Sequence, residues 1–151
     1  MKQQITQVAE ISVSYHPAIA NKPIIKSPFD AYVVLREFFS DDTIQLNEKF
    51  MVLYLNKRNR VLGVYPAFVG GITSTVVDLR LILSIALTTL ATSIVLCHNH
   101  PSGALKPSKE DIDITHRIKE AAKYLDIAVQ DHIIVVFEAG QYFSFANDGM
   151  L

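Results

Sequence analysis

A short apolar run, Thr92-Ser93-Ile94-Val95-Leu96-Cys97, ends abruptly on His98-Asn99-His100-Pro101-Ser102-Gly103, and this junction constrains the chain more than any other stretch. The run is short and contains β-branched residues, the pattern of a strand buried on both faces. Side chains two apart on an extended chain point to the same side, so His98 and His100 can reach one cation while Asn99 points away. Pro101 and Gly103 then stop the strand and turn the chain.

The next element starts at Ser108. Ser108-x-x-Asp111 ahead of an apolar-periodic run is a capping box, in which the serine oxygen accepts from the backbone at the third helical position. Ile114, Ile118, Ala121, Ala122 and Leu125 follow at helical spacing and predict the inward stripe. Asp111 lies at the inner edge of that stripe. Its carboxylate would complete a set of two imidazoles and one carboxylate, the number of protein ligands a catalytic zinc takes while keeping a position open for water. Capping alone also accounts for Ser108 and Asp111, and a buried histidine often only satisfies a backbone group. That reading leaves the paired histidines and the Pro-Ser-Gly turn without a reason.

His98-x-His100-Pro101, continued through Pro107 to Ser108-x-x-Asp111, resembles the JAMM motif of the MPN+ metallopeptidases. The fuller string HNHPSG, and Asp131-His132-Ile133-Ile134-Val135 downstream, resemble the RadC branch of that superfamily. The resemblance runs from about Glu48 to Phe145. It implies an α/β fold, a curved mixed β-sheet flanked by helices with MPN/cytidine-deaminase-like architecture. It also implies zinc (Zn2+) on His98, His100 and Asp111, and metal-assisted hydrolysis of a peptide or isopeptide bond. Glu48 stands where the family's general base stands, just ahead of the apolar run Phe50 to Leu55 and in phase with Phe50, Val52 and Tyr54. Glu37, on a helix, is the fallback for that role. Ser108 matches the family serine that holds the developing oxyanion or orients the water, a role compatible with capping because a hydroxyl can donate and accept at once. His132 is expected to be a core histidine, with a place behind the metal ligands as the alternative.

Two departures limit what the resemblance carries. Four residues separate Gly103 from Ser108, which leaves no room for the loops that grip ubiquitin in deubiquitinating relatives. Residues 1 to about 40 do not resemble the helix-hairpin-helix region of longer RadC proteins, so the DNA-repair label transfers poorly. The letters HNH do not indicate an HNH nuclease, which places those residues on separate elements. The rival to a hydrolase is a non-catalytic module that keeps the metal structurally and binds a partner, DNA or a repair or mobile-element complex. A metal-dependent nuclease is disfavoured by charge: 14 basic against 15 acidic residues give a formal net charge of −1, with no footprint for a polyanion. The densest basic patch, Lys57-Arg58-Asn59-Arg60, reads as a solvated turn.

One cysteine, Cys97, excludes an internal disulfide and fits a reducing, cytoplasmic setting. Alternation turns it away from the histidines, as a small buried hydrophobe. Met1 to Gln7 has no apolar core of a signal peptide. Leu79 to Cys97 is nearly long enough for a membrane span, but Arg80 interrupts it and polar residues follow at once. A buried helix from Leu79 to about Ala91, capped by Asp78, explains it better, so no membrane role is expected.

At 151 residues the chain has one core's worth of material, divided into an N-terminal strand and helix extension over 1–40 and the RadC-like domain over 41–151. Val8 to Tyr15 alternates like an edge strand. Ser27-Pro28-Phe29-Asp30 starts a helix whose apolar face is Tyr32, Leu35, Phe38 and Phe39. Phe50 to Leu55 and Arg60 to Val69 predict a hairpin around Asn56 to Asn59. Gly70-Gly71 breaks it, and Thr73 to Val77 leads to the Asp78 helix. Ile127 to Val129 and His132 to Phe137 read as two strands, Tyr142 to Phe145 closes a hairpin, and the tail from Ala146 is expected to be loose.

Overall fold

Residues 50–55 and 93–99, on two inner strands of the central sheet, are buried throughout, because both faces are covered by helices. A computed structural model describes residues 8–17, 20–70 and 77–151. The elements run α1 (Pro28–Arg36), β1 (Lys49–Leu55), β2 (Val61–Val69), α2 (Leu79–Thr88), β3 (Ser93–Asn99), α3 (Lys109–Lys123), β4 (Ala128–Val135) and β5 (Tyr142–Ser144). The strands form one five-stranded sheet in the order β2-β1-β3-β4-β5. β3 and β4 are parallel and the other neighbours antiparallel. The parallel pair needs a crossover, and α3 supplies it. The chain is therefore α/β with a mixed sheet, as expected.

Alternation divides the interior in two. Met51, Leu53, Leu55, Val95, Cys97, Ile133 and Val135 pack with Ala31, Tyr32 and Leu35 of α1. Phe50, Val52, Tyr54, Ile94 and Leu96 pack on the other face with Ile82 and Ala86 of α2 and Ile118 and Ala122 of α3. Each helix starts on the cap its sequence predicts. Ser27 accepts from the amide of Asp30, Asp78 from that of Arg80, and Ser108 and Asp111 form the reciprocal capping box.

β4 is one continuous strand where the sequence suggested two, and its pairing with β3 skips a residue. Ile94 pairs with Val129 but Val95 with Asp131, so Gln130 is an extra residue that bulges. The bulge inverts the phase of everything after it. Val129 packs on the α2/α3 face. Without the bulge His132, three residues on, would point to the opposite side. With it, His132 lies opposite Leu96 on that same face.

Four further expectations need correction. Residues 8–17 form no strand, and Val8, Ile11 and Val13 are exposed; the alternation is present but no sheet edge pairs with it. The Tyr15 hydroxyl reaches the sheet, donating to the carbonyl of Leu62. The α2 helix ends at Thr88, since Leu90 turns left-handed with φ 56°. On α3 the stripe runs through Thr115, Ile118 and Ala122, while Leu125, past the helix end, is exposed. The tail is held rather than loose: the amide of Met150 donates to Phe145 at 2.8 Å and that of Ala146 to the Asp131 carboxylate at 2.9 Å. Gly71 and residues 73–76 lie outside the described residues.

Candidate metal centre

The last residues of β3 and the first turn of α3 meet at one end of the sheet. His98 is the penultimate residue of β3 and is 1% exposed. His100 follows the strand, its amide donating to Val135 at 3.0 Å, which extends the register past the end of the sheet. Asp111, at the third position of α3, is brought over the histidines by the capping box; its Oδ2 accepts from the amide of Ser108 at 2.7 Å.

Three ligand-type groups converge there. The Nε2 atoms of His98 and His100 are 2.9 Å apart. Asp111 Oδ1 lies 3.1 Å from His98 Nε2, and Oδ2 lies 3.2 Å from His100 Nε2. One ligand atom from each residue falls within 4.8 Å of the other two. Two imidazole nitrogens and a carboxylate oxygen, largely withdrawn from water and aimed at one point, fit the donor set of a divalent metal ion. The structure thus brings together the three residues that the sequence nominated.

The electrostatics are those of an acid held ionised between bases. Burial raises the Asp111 carboxyl, but its close contacts with the His100 and His98 imidazoles and the amide of Ser108 outweigh it and hold the group far below the usual carboxylate range. Burial lowers the His100 imidazole, yet the Asp111 hydrogen bond, the Ala104 carbonyl and the nearby charges of Asp111 and Glu48 raise it on balance.

Glu48 is the residue immediately before β1 and is half-buried. It lines a cleft of about 590 Å³ together with Asn47, His100, Ser102, Lys106 and Ser108. Ser108 is exposed on that cleft, with an oxygen lone pair committed to the amide of Asp111 at 3.1 Å. Glu37 ends α1 and lines a separate groove with Phe38 and Val64, so the structure does not bring it to the histidines. Cys97 is fully buried on the α1 face, where burial and then the Asp131 charge push its thiol well up; it is inert.

Asn99, turned away from the histidines by alternation, is fully buried. Its Nδ2 donates to the carbonyls of Ile44 at 2.7 Å and Asn47 at 2.8 Å, and its Oδ1 accepts from the amide of Lys49 at 2.7 Å. The segment carrying Glu48 is thereby tied down on both sides of that residue.

Behind the ligands, the sequence reading held a place for His132 only as the alternative and missed Thr115. His132 is a core histidine by burial, and its Nε2 also lies 2.7 Å from His98 Nδ1. Its Nδ1 lies 2.6 Å from the hydroxyl of Thr115, which in turn donates to the carbonyl of Asp111 at 2.5 Å. Burial first, and then the neighbouring His98, push the His132 pKa well down. The available signal was Thr115 itself, a polar residue four positions after Asp111 on an otherwise apolar helical stripe.

Residues 25–150 match the model of the family described as RadC-like JAB domain. Among similar proteins, a UPF0758 protein of Flavobacterium johnsoniae is 39% identical over 126 residues, covering 83% of this chain and 53% of the relative. A UPF0758 protein of Porphyromonas gingivalis is 35% identical over 147 residues, covering 97% and 64%. The UPF0758 protein YfjY of Escherichia coli K12 is 43% identical over 104 residues, covering 69% and 64%. The chain thus spans between half and two thirds of the length of these curated relatives. No helix among the described residues is long and apolar enough to cross a membrane.

Proposed function

Because the chain belongs to the RadC-like JAB domain family, we propose that it is a zinc-dependent hydrolase that cleaves an amide bond in a peptide or isopeptide. The observation that carries this reading is the convergence of His98, His100 and Asp111, with His100 lining a cleft that Glu48 and Ser108 also line. Zinc bound there supplies a Lewis acid that acidifies water and polarises a carbonyl. His98 and His100 hold it through Nε2 and Asp111 through its carboxylate.

The remaining chemistry belongs to the protein. Glu48 accepts the proton that the attacking water loses and delivers it to the leaving amine, so that water and amide become a carboxylic acid and an amine. Ser108 has a hydroxyl proton free to donate, because its lone pair rather than its O–H serves the helix cap. That proton meets the substrate carbonyl oxygen as it gains negative charge. Asn99 keeps the Glu48 segment in place by bonding to the backbone on either side of it.

The test is metal content and turnover of the protein, metal-stripped and reloaded with zinc, beside His100→Ala and Glu48→Gln. Near-stoichiometric zinc in the wild type and in Glu48→Gln, absent from His100→Ala, together with cleavage of peptide or isopeptide probes only by the wild type, is the expected result. Zinc bound with no cleavage across a peptide and isopeptide library would give way to the non-catalytic interaction module. Absence of zinc in the reloaded wild type would remove both.

A further inference from the structure

The hydrogen-bond chain behind His98 has a direction, and the direction matters for the ion. Thr115 has one hydroxyl proton and two neighbours, the carbonyl of Asp111 at 2.5 Å and Nδ1 of His132 at 2.6 Å. A carbonyl oxygen can only accept. Both contacts are satisfied in one way alone: the hydroxyl donates to the carbonyl and accepts from His132 Nδ1–H. His132 is fully buried and its ring nitrogens contact an imidazole and a hydroxyl rather than a carboxylate, an environment for an uncharged ring with one N–H and one lone pair, so it then offers its lone pair at Nε2. The 2.7 Å contact from that atom to His98 Nδ1 requires one proton, and it must come from His98. With its proton on Nδ1, a neutral His98 presents the Nε2 lone pair toward His100 and Asp111.

We propose that Thr115 and His132 are positioning residues which, by this relay, fix His98 in the Nδ1–H form and so keep Nε2 free for the metal. The proposal rests on the reading of His98 as a metal ligand. His100 is set by a shorter route, its Nδ1 donating to the carbonyl of Ala104 at 2.5 Å, and it needs no second side chain. His98 is buried inside the sheet, where neighbouring strand carbonyls are taken by the ladder, and so it depends on a side-chain acceptor. The Gln130 bulge puts that acceptor on the correct face. Fixing a ligand's tautomer and ring orientation through its other nitrogen is how partners behind the ligands tune metal sites in general.

Thr115→Val keeps the shape and removes the acceptor for His132 Nδ1–H. His132 is then released to carry its proton on Nε2, which drives His98 to the Nε2–H form that cannot bind metal. The measurement is zinc affinity by chelator competition for wild type, Thr115→Val and Thr115→Ser, with the cobalt-substituted absorption spectrum as a second readout. Expected is a loss of roughly 10- to 100-fold in Thr115→Val, with a weakened cobalt spectrum, and recovery toward wild type in Thr115→Ser. Folded Thr115→Val with wild-type affinity would overturn the proposal.

Nitrogen NMR of the metal-free wild type, at about pH 8.5 so that ordinary imidazoles are neutral, reads the tautomers directly and needs no variant. Expected are a protonated Nδ1 and a bare Nε2 on both His98 and His132; a protonated Nε2 on His98 would sink the relay. A wild type that has those tautomers but binds no zinc would defeat the metal reading and leave the relay standing. The two failures are therefore distinguishable.

Discussion

His98 and Asn99 are neighbours on β3 and equally hidden from water, 1% and 0% exposed, yet they face opposite sides of the sheet and meet opposite surroundings. Asp131 and His132 repeat the arrangement on β4, one to each side. On the α1 side Asn99 and Asp131 find their complements. Asn99 gives two protons to carbonyls and takes one from an amide. Asp131 takes protons from the Ser144 hydroxyl at 2.6 Å and from the amides of Ala146 and His132 at 2.9 and 2.7 Å. On the side facing α2 and α3, two imidazole nitrogens and a carboxylate confront one another. A closed network fastens chain to chain, whereas three convergent ligand groups are an arrangement that a cation can complete.

The largest effect that separates the two sides comes from cutting a ligand. Structural zinc is worth on the order of 10–16 kcal/mol over about four ligands, so removing one costs roughly 3–4 kcal/mol, or on the order of 100- to 1,000-fold in affinity. His98→Ala and Asp111→Ala are expected to lose zinc to that degree, read by chelator competition. A closed-network mutation should do the opposite. Asn99→Leu leaves two carbonyls and an amide buried without partners, and it is expected to cost about 3 kcal/mol or more of folding stability in urea unfolding. The fraction still folded should keep its full complement of zinc; loss of zinc at unchanged stability would erase the distinction between the sides.

Asp131→Ala should cost less, about 2 kcal/mol, because the group is already unfavourably placed. Burial outweighs its hydrogen bonds and raises its pKa. The loss should be local, with faster amide exchange at Ala146 and Met150 and no change in zinc affinity.

The smallest effect is in pH. His100 has a folded pKa raised above its unfolded value near 6.5. It therefore contributes stability to the metal-free protein that is fully present below about pH 6.5 and is lost as pH rises through the folded value. Relative to His100→Gln, metal-free wild type should melt progressively lower as pH rises above that window. Zinc-loaded wild type should show the reverse, since a proton on His100 competes with the ion. A metal-free curve parallel to that of His100→Gln would show that the Asp111 contact contributes nothing.

What could be seen in the sequence was local. The buried strand, the histidines two apart, the three helix caps and the hairpin each depend on residues a few positions from one another, and each is present in the structure. Asp111 was found because capping and ligation place it at the same helical position. The contact from His132 to His98 spans 34 positions and exists only because Gln130 bulges, and no periodicity rule announces a one-residue change of phase. Thr115 was hidden in the apolar stripe it shares with Ile118 and Ala122. The segment from Val8 to Tyr15 failed in the other direction: alternation describes a strand that has a partner, and this one has none among the described residues. The tail from Ala146 looked free because its anchor, Asp131, is distant in sequence.

The spacing of the ligands along the chain has a consequence for how the ion is acquired. His98, His100 and Asp111 all fall between positions 98 and 111, so an ion that joins them closes a loop of only about a dozen residues, at an entropic cost of roughly 2 kcal/mol. A disordered chain can meet that cost before any sheet has formed. The denatured ensemble therefore retains part of the native affinity, and zinc should raise the melting temperature by less than the folded-state affinity alone implies. His132 is contributed from β4, beyond the crossover helix, and joins only when the parallel strands pair. Capture of the ion can thus precede folding, while the orientation of its ligands cannot.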